Sequence, residues 1–306
     1  MPSLQSIVVA DSEAKSPVPG CWQFEDLLLD LSSQGPGEHL VNASDPVNIQ
    51  FTSGTTGSPK GAVLSHRNIL NNAQFVAQRM DFSPSDILCL PVPLHHCFGV
   101  VMGFLASLTT GSQVVLPSPL FNAEKTLEAV QHHRATALHG VPTMFIEELS
   151  LPNFSEYDVS GLRTGIMAGS ICPEELLLQI HKEMGMQQIT VCYGMTETSP
   201  VSFQTAAKDL NHFRYNTVGT ILPHVEAKIV DERGFIVPSG KPGEMFVRGY
   251  SVMNGYWNDS VKTKESIDDD GWMRTGDLAT LDSEGYCRIV GRIKDIIIRG
   301  KDAGTA

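Results

Sequence analysis

Ten consecutive residues, Thr52-Ser53-Gly54-Thr55-Thr56-Gly57-Ser58-Pro59-Lys60-Gly61, concentrate hydroxyls, glycines and one ammonium group. Gly54, Gly57 and Gly61 let the backbone approach a ligand closely and adopt positive φ. Thr52, Ser53, Thr55, Thr56 and Ser58 offer hydroxyl donors to phosphate oxygens, and Lys60 adds a point charge for a polyphosphate. A Walker A loop requires Gly-Lys followed by Ser or Thr. Here Lys60 follows Pro59 and precedes Gly61, so the stretch is a different kind of nucleotide loop. The plainer alternative is a Gly/Ser/Thr hairpin turn, for which a few such residues suffice.

The elements around this loop must hold it. A short apolar strand at 47–51 leads in and a second strand at 62–64 leads out, so the loop joins two strands. Ser65 then caps a helix with Ile69, Leu70, Ala73, Val76 and Met80 at a three-to-four-residue period. Strands at 87–90, 114–116, 136–139, 163–168 and 189–192 alternate with helices at 97–108, 123–133, 142–149 and after Pro173. This alternation predicts βαβ units and a mostly parallel sheet. Beyond about residue 215 short alternating strands dominate, at 226–230, 244–248, 278–281 and 286–290, as in a β-rich subdomain. The expected fold is α/β. Its divisions are an upstream remnant at 1–45 with strand 6–10 and helix 24–31, an α/β part at 46–215, the β-rich part at 216–290, and a tail at 291–306.

Composition limits the function. The chain has 306 residues, 42% hydrophobic and 18% charged, with a net charge of −12. Such acidity argues against a general nucleic-acid binder, yet leaves room for a small anion held by local amides and one lysine. No apolar run is long enough to span a membrane. Cys21, Cys89, Cys97, Cys172, Cys192 and Cys287 form no C-x-x-C and no zinc spacing, and read as buried thiols of a reducing compartment. His132 and His133 close a helix, where they complement its dipole.

The stretch FTSGTTGSPKGAVLSH resembles the phosphate loop of the acyl- and aryl-CoA synthetase, luciferase and peptide-synthetase adenylation superfamily. Further matches follow in order. Tyr193-Gly194-Met195-Thr196-Glu197 is similar to its adenylate motif, Arg274-Thr275-Gly276-Asp277 to its ribose motif, and Gly291-Arg292-Ile293-Lys294-Asp295 to its hinge motif. Local texture such as HHCFG and GYSVMNGYW is similar to the mitochondrial medium-chain fatty acyl-CoA synthetase type.

The resemblance implies an ATP-dependent fatty acid–CoA ligase. A carboxylate attacks the α-phosphate of ATP to give acyl-AMP and pyrophosphate, and CoA then takes the acyl group. It implies that the 52–61 loop holds the β- and γ-phosphates, that Thr196 meets the α-phosphate, and that Glu197 helps hold Mg²⁺. Tyr193 would pack on adenine, with Gly169, Ser170 and Ile171 along its other side and Gly194 and Met195 beside it. Asp277 would accept from the ribose hydroxyls, Arg292 would touch ribose and phosphate, and Asp295 would be a hinge. His96 takes a place beside the acyl site, whose pocket would draw on 98–104, 141–145 and 165–167. Taken alone, each has a plainer alternative: a capped turn after a strand for 193–197, a turn aspartate for Asp277, a solvated arginine for Arg292, and a helix-start histidine for His96.

The resemblance also implies segments beyond both ends of these residues, including a small C-terminal domain with a lysine that contacts the acyl phosphate. The expectation is therefore a low-activity or inactive fragment of the ligase, or alternatively a non-catalytic nucleotide-binding or regulatory form. The resemblance implies the mitochondrial matrix. The first residues, MPSLQSIVVADSEAKSP, carry no basic transit-type segment, which leaves a cytoplasmic location open for this form.

Overall fold

A computed structural model describes residues 41–52 and 59–293, together with the backbone of 8–9, 22–23, 296–299 and 302–305. The expected helix at 24–31, loop residues Ser53, Gly54, Thr55, Thr56, Gly57 and Ser58, and the hinge residue Asp295 lie outside the described residues. Residues 1–42 and 43–306 form two compact units. In the first, β1 (Val8–Val9) runs parallel to β2 (Trp22–Gln23).

The second unit begins with a hairpin. β3 (Pro46–Thr52) and β4 (Lys60–Ser65) pair antiparallel, with Thr52 opposite Lys60 at the loop end. α1 (His66–Arg79) follows at once because Ser65 and Asn68 form a capping box: Asn68 N donates to Ser65 Oγ at 3.2 Å, and Ser65 N donates to Asn68 Oδ1 at 2.7 Å. Ile69, Ala73, Val76 and Met80 are buried as the period predicts, but Leu70 lies off that stripe and is exposed.

The predicted alternation then appears. β5 (Ile87–Cys89) leads to a π-helical segment, Phe98–Leu105, and to α2 (Ala106–Thr110). The one helix expected over 97–108 is thus two, wound differently. Its inner part is buried, whereas Phe104 and Leu108 face outward. β6 (Gln113–Val115), α3 (Ala123–His133), β7 (Ala137–Gly140), α4 (Pro142–Leu149), β8 (Thr164–Met167), α5 (Glu174–Glu183) and β9 (Gln188–Gly194) complete the parallel part.

After β9 the chain doubles back into β10 (Val201–Gln204), α6 (Asn211–Asn216) and β11 (Thr220–Ile221). The resulting seven-stranded sheet has the order β11-β10-β9-β8-β7-β5-β6, parallel from β9 to β6 and antiparallel at β10 and β11. β12 (Val225–Val230), β13 (Gly243–Gly249), β14 (Gly255–Tyr256), α7 (Ser260–Ser266), β15 (Met273–Leu281) and β16 (Cys287–Arg292) follow. Strands β12, β13, β15 and β16 form a four-stranded antiparallel sheet, and β14 returns to β4 to give the order β14-β4-β3. β17 (Ile296–Arg299) and β18 (Asp302–Thr305) are a final hairpin.

Strand alternation divides the core between the two faces of the parallel sheet. Leu88, Ile166, Phe98, Met102 and Phe203 join one cluster, which extends to Ile229, Met245 and Val247 of the antiparallel sheet. Cys89, Met167, Phe145, Leu177 and Ile180 form the other, beneath α3, α4 and α5. Within the segments expected to form the acyl pocket, Phe98, Met102 and Ile166 share one cluster with Val141 and Met144 packed against it, whereas Phe145 and Met167 lie in the other.

One polar knot fixes the amino ends of the parallel strands. Asp86 accepts from Ser83 N at 2.9 Å, Thr136 Oγ1 at 2.8 Å, and Arg163 at 2.8 and 3.0 Å, while Arg163 also donates to Gln188 at 2.8 Å. Burial alone would raise the Asp86 carboxyl, but Arg163, Thr136 and Ser83 outweigh it and hold the carboxyl below its ordinary value of 3.8. Removing Arg163 leaves a buried carboxylate without its cation. Arg163→Ala should cost about 2 kcal/mol in urea denaturation at pH 7, less than the ~3–5 kcal/mol of a fully buried pair because Arg163 is partly exposed. A carboxyl lowered in the fold contributes its stability above 3.8 and loses it as pH falls through the folded value. The difference between the variant and the parent should therefore shrink below that pH.

Candidate active site

The sheet brings the candidate residues to the carboxyl ends of β8 and β9, the edge where open α/β sheets bind ligands. Gly194 ends β9 opposite Val201 of β10. The backbone passes so close to its partner that a Cβ on Gly194 would sit 1.8 Å from the Pro200 carbonyl oxygen. Between the two strands lies a short 3-10 turn, Thr196–Thr198. Thr198 Oγ1 accepts from Met195 N at 3.1 Å and donates to the Pro200 carbonyl at 2.6 Å. Ser199 Oγ donates to the Ser251 carbonyl at 2.6 Å, and Met253 N donates to the Glu197 carbonyl at 2.9 Å. Asn72, fully buried on α1, donates to the Val201 carbonyl at 2.7 Å and accepts from Val201 N at 3.1 Å. The strand end is indeed followed by a capped turn, and that turn is what presents Thr196 and Glu197.

Three arms meet at this turn. The first runs from Tyr193. Its hydroxyl donates to Asp277 Oδ2 at 2.5 Å, and Asp277 Oδ1 lies 3.3 Å from Arg292 Nε. Register puts Asp277 directly across from Arg292, inside β15 instead of in a turn. Asp277 is 7% exposed, whereas Arg292 is largely in solvent. Burial first, and the Asp277 carboxylate second, push the Tyr193 hydroxyl well up, so it stays a donor.

The second arm runs to His96. Cys97 Sγ lies 3.7 Å from Thr196 Oγ1 and 3.8 Å from His96 Nδ1, and His96 Nδ1 accepts from Phe98 N at 3.0 Å. His96 thus opens the π-helical segment on the side of the turn. The side chain is exposed, yet desolvation by its neighbours and then the nearby His95 lower its pKa.

The third arm carries the charge. Glu197 is 6% exposed, and its Oε1 accepts from Tyr256 Oη at 2.8 Å. Lys60 Nζ lies over the same Tyr256 ring, 5.0 Å from its centroid. Burial, followed by Glu197, raises the Tyr256 hydroxyl, which keeps it protonated. Trp257 N donates to the Gly61 carbonyl at 2.7 Å, tying this arm to the loop end.

Gly169, Ser170 and Ile171 follow β8, the strand beside β9, and are exposed at the same sheet edge. Gly169 has φ +92, and Ile171 is 89% exposed, an apolar side chain held in solvent. Thr52 and Pro59 flank the loop; Pro59 is exposed. The sequence singled out neither Tyr256 nor Cys97. GYW at 255–257 is visible as texture, but the partner of the tyrosine is 59 residues away, and no local signal points to it.

Among the described residues no group of three His, Cys, Asp or Glu side chains converges to hold a metal. Glu197 offers one hard carboxylate with an oxygen left over from its tyrosine bond. That donor set fits a Mg²⁺ ion carried largely by phosphate and water.

The AMP-binding enzyme profile matches residues 4–257. The chain belongs to that family. The medium-chain acyl-CoA ligase ACSF2, mitochondrial, of Macaca fascicularis is 44% identical over 311 residues, 98% of this chain and 50% of that protein. The acyl-CoA ligase sidI of Aspergillus fumigatus is 48% identical over 267 residues, 86% of this chain and 45% of that protein. The crystal structure of ATP-bound MatB from Rhodopseudomonas palustris superposes with a TM-score of 0.78 at 32% identity, covering 87% of this chain and 52% of that one. The chain spans about half the length of the curated relatives it matches. The chain has the fold of the adenylate-forming enzymes, as the motifs imply.

Tyr193→Phe removes the hydroxyl that donates to the buried Asp277 carboxylate and keeps the ring. The variant should lose about 2 kcal/mol of stability in urea denaturation, with far-UV circular dichroism unchanged.

Proposed function

We propose that this chain carries the nucleotide- and acyl-binding surface of an acid–thiol ligase that joins a fatty acid to CoA through an acyl-adenylate. The observation that carries this reading is the convergence of Tyr193–Asp277–Arg292, Thr196–Cys97–His96 and Glu197–Tyr256–Lys60 on a single turn at the end of β9. Membership of the AMP-binding enzyme family supports it.

The chemical difficulty is that a carboxylate must approach a polyanion, so cations and fixed donors at the transferring phosphorus do most of the work. In this reading Asp277 accepts from the ribose hydroxyls, with Tyr193 and Arg292 fixing its two oxygens. Tyr193 and Gly194 lie along adenine, with Gly169, Ser170 and Ile171 on its other side. Thr196 donates to the α-phosphate. Lys60 and the loop residues 52–61 hold the β- and γ-phosphates. Mg²⁺, when bound at Glu197, neutralises phosphate charge and polarises the phosphorus centre. His96, whose pKa its surroundings lower, flanks the incoming acid. Asp295 serves as the hinge between the two half-reactions, and CoA enters for the second. Medium-chain acids and the mitochondrial matrix are supported by what the ACSF2 relatives are named.

The test is exchange of labelled pyrophosphate into ATP by the 306-residue chain with octanoate, alongside calorimetric AMP binding. Slow acid-dependent exchange is expected, in keeping with a low-activity form. Nucleotide binding without exchange would instead support a non-catalytic nucleotide-binding form. Asp277→Asn should weaken AMP binding by about tenfold, equivalent to about 1.4 kcal/mol for the ribose contact; an unchanged affinity would remove Asp277 from the ribose role.

A further inference from the structure

Lys60 and Glu197 carry opposite charges, come from motifs 137 residues apart, and both converge on Tyr256 without pairing with each other. Two such groups at the mouth of a site attract, and an ion pair between them would occupy the ammonium that a phosphate needs. Tyr256 occupies both partners at once. Its hydroxyl donates to Glu197 Oε1 at 2.8 Å while the ring face takes the Lys60 ammonium at 5.0 Å.

The ring has little freedom to leave. Tyr256 pairs with Ala62 of β4, the strand that Lys60 opens. Its N–H donates to Thr263 Oγ1 at 2.9 Å, and the next residue, Trp257, donates its N–H to Gly61. Gly255 before it has φ +139, and a Cβ there would lie 2.8 Å from Thr263 Cγ2, so α7 packs directly behind this strand. The other acid near Lys60, Asp259, is already engaged: it accepts from Lys262 N at 2.9 Å and lies 3.3 Å from Lys262 Nζ.

We propose that Tyr256 is a positioning residue that keeps Lys60 from pairing with Glu197, so that the ammonium stays available to nucleotide phosphate. A cation over a ring is held weakly enough to leave, whereas a partly buried ion pair must be broken first. This rests on the nucleotide-binding reading above and adds a role for a residue outside its motifs.

The experiment is calorimetric binding of ATP in EDTA to the whole chain and its variants, with no metal and no turnover. Tyr256→Leu should bind ATP about tenfold more weakly, because Lys60 then pairs with Glu197. Adding Glu197→Gln to Tyr256→Leu should restore binding to within about threefold of the Glu197→Gln single variant. Asp259→Asn in the same background should restore nothing. A loss of packing at Tyr256 could not be repaired by changing the acid. Tyr256→Phe keeps the ring over Lys60 but frees Glu197, so it should bind ATP about threefold more weakly than the parent and be restored by Glu197→Gln, a measurement that stands even if the leucine variant fails to fold. Unchanged binding by Tyr256→Leu, no rescue by Glu197→Gln, or a loss in Tyr256→Phe that Glu197→Gln does not repair overturns the spacer role alone. No ATP binding by the parent chain overturns the nucleotide-binding reading and this role together.

Discussion

The closeness of Gly194 to the Pro200 carbonyl sets the geometry on which the candidate site depends. No side chain fits at that point, so β9 can turn back into β10 within six residues. Everything between is held by its own hydrogen bonds, through Thr198, and from outside by Asn72, Ser251 and Met253. A parallel sheet alone would offer strand ends spread along an edge. The antiparallel return concentrates them, because it brings β10 and then the 250–256 segment up to the same corner. Thr196 and Glu197 therefore occupy fixed places before any ligand arrives, which is what preorganised electrostatics requires.

The alternation of strands and helices was legible because each helix has a start signal and an apolar period. Asn122 and Ser65 cap as such residues should, and Pro142 opens α4. The strands β10, β11 and β14 and the helices α6 and α7 were not legible. They are short, and their pairing partners lie far away in sequence, as with Tyr256 and Ala62. The two-faced core escaped for a related reason. Neighbouring apolar residues such as Ile166 and Met167 read as one hydrophobic run, yet the pleat sends them to opposite sides. For the site, contiguous motifs could be seen in the sequence, but the contacts that join them could not. Asp277 and Arg292 are brought together by register between β15 and β16, and Glu197 meets Lys60 only through a tyrosine in a third segment.

The strongly acidic balance of the chain, −12 overall, takes on a different look at this scale. The acids that matter locally are each tied up by a specific partner. Asp86 is clasped by Arg163, Asp277 by Tyr193 and Arg292, and Glu197 by Tyr256. What an anion meets at the turn is a set of directed donors and a spaced cation, not the average field of the molecule.

Cys97 lies 3.7 Å from the Thr196 hydroxyl, beside the residue that the proposed reading puts at the α-phosphate, where an acyl-adenylate would be formed. A thiolate at that distance would be a competing nucleophile. It would capture the acyl group as a dead-end thioester on the protein before an external thiol could collect it. Burial pushes the Cys97 thiol up to about 11, so at neutral pH it is almost entirely the unreactive SH form. Apolar packing around this sulfur thus does two things at once: the same desolvation that stabilises the core keeps the thiol in its non-nucleophilic form.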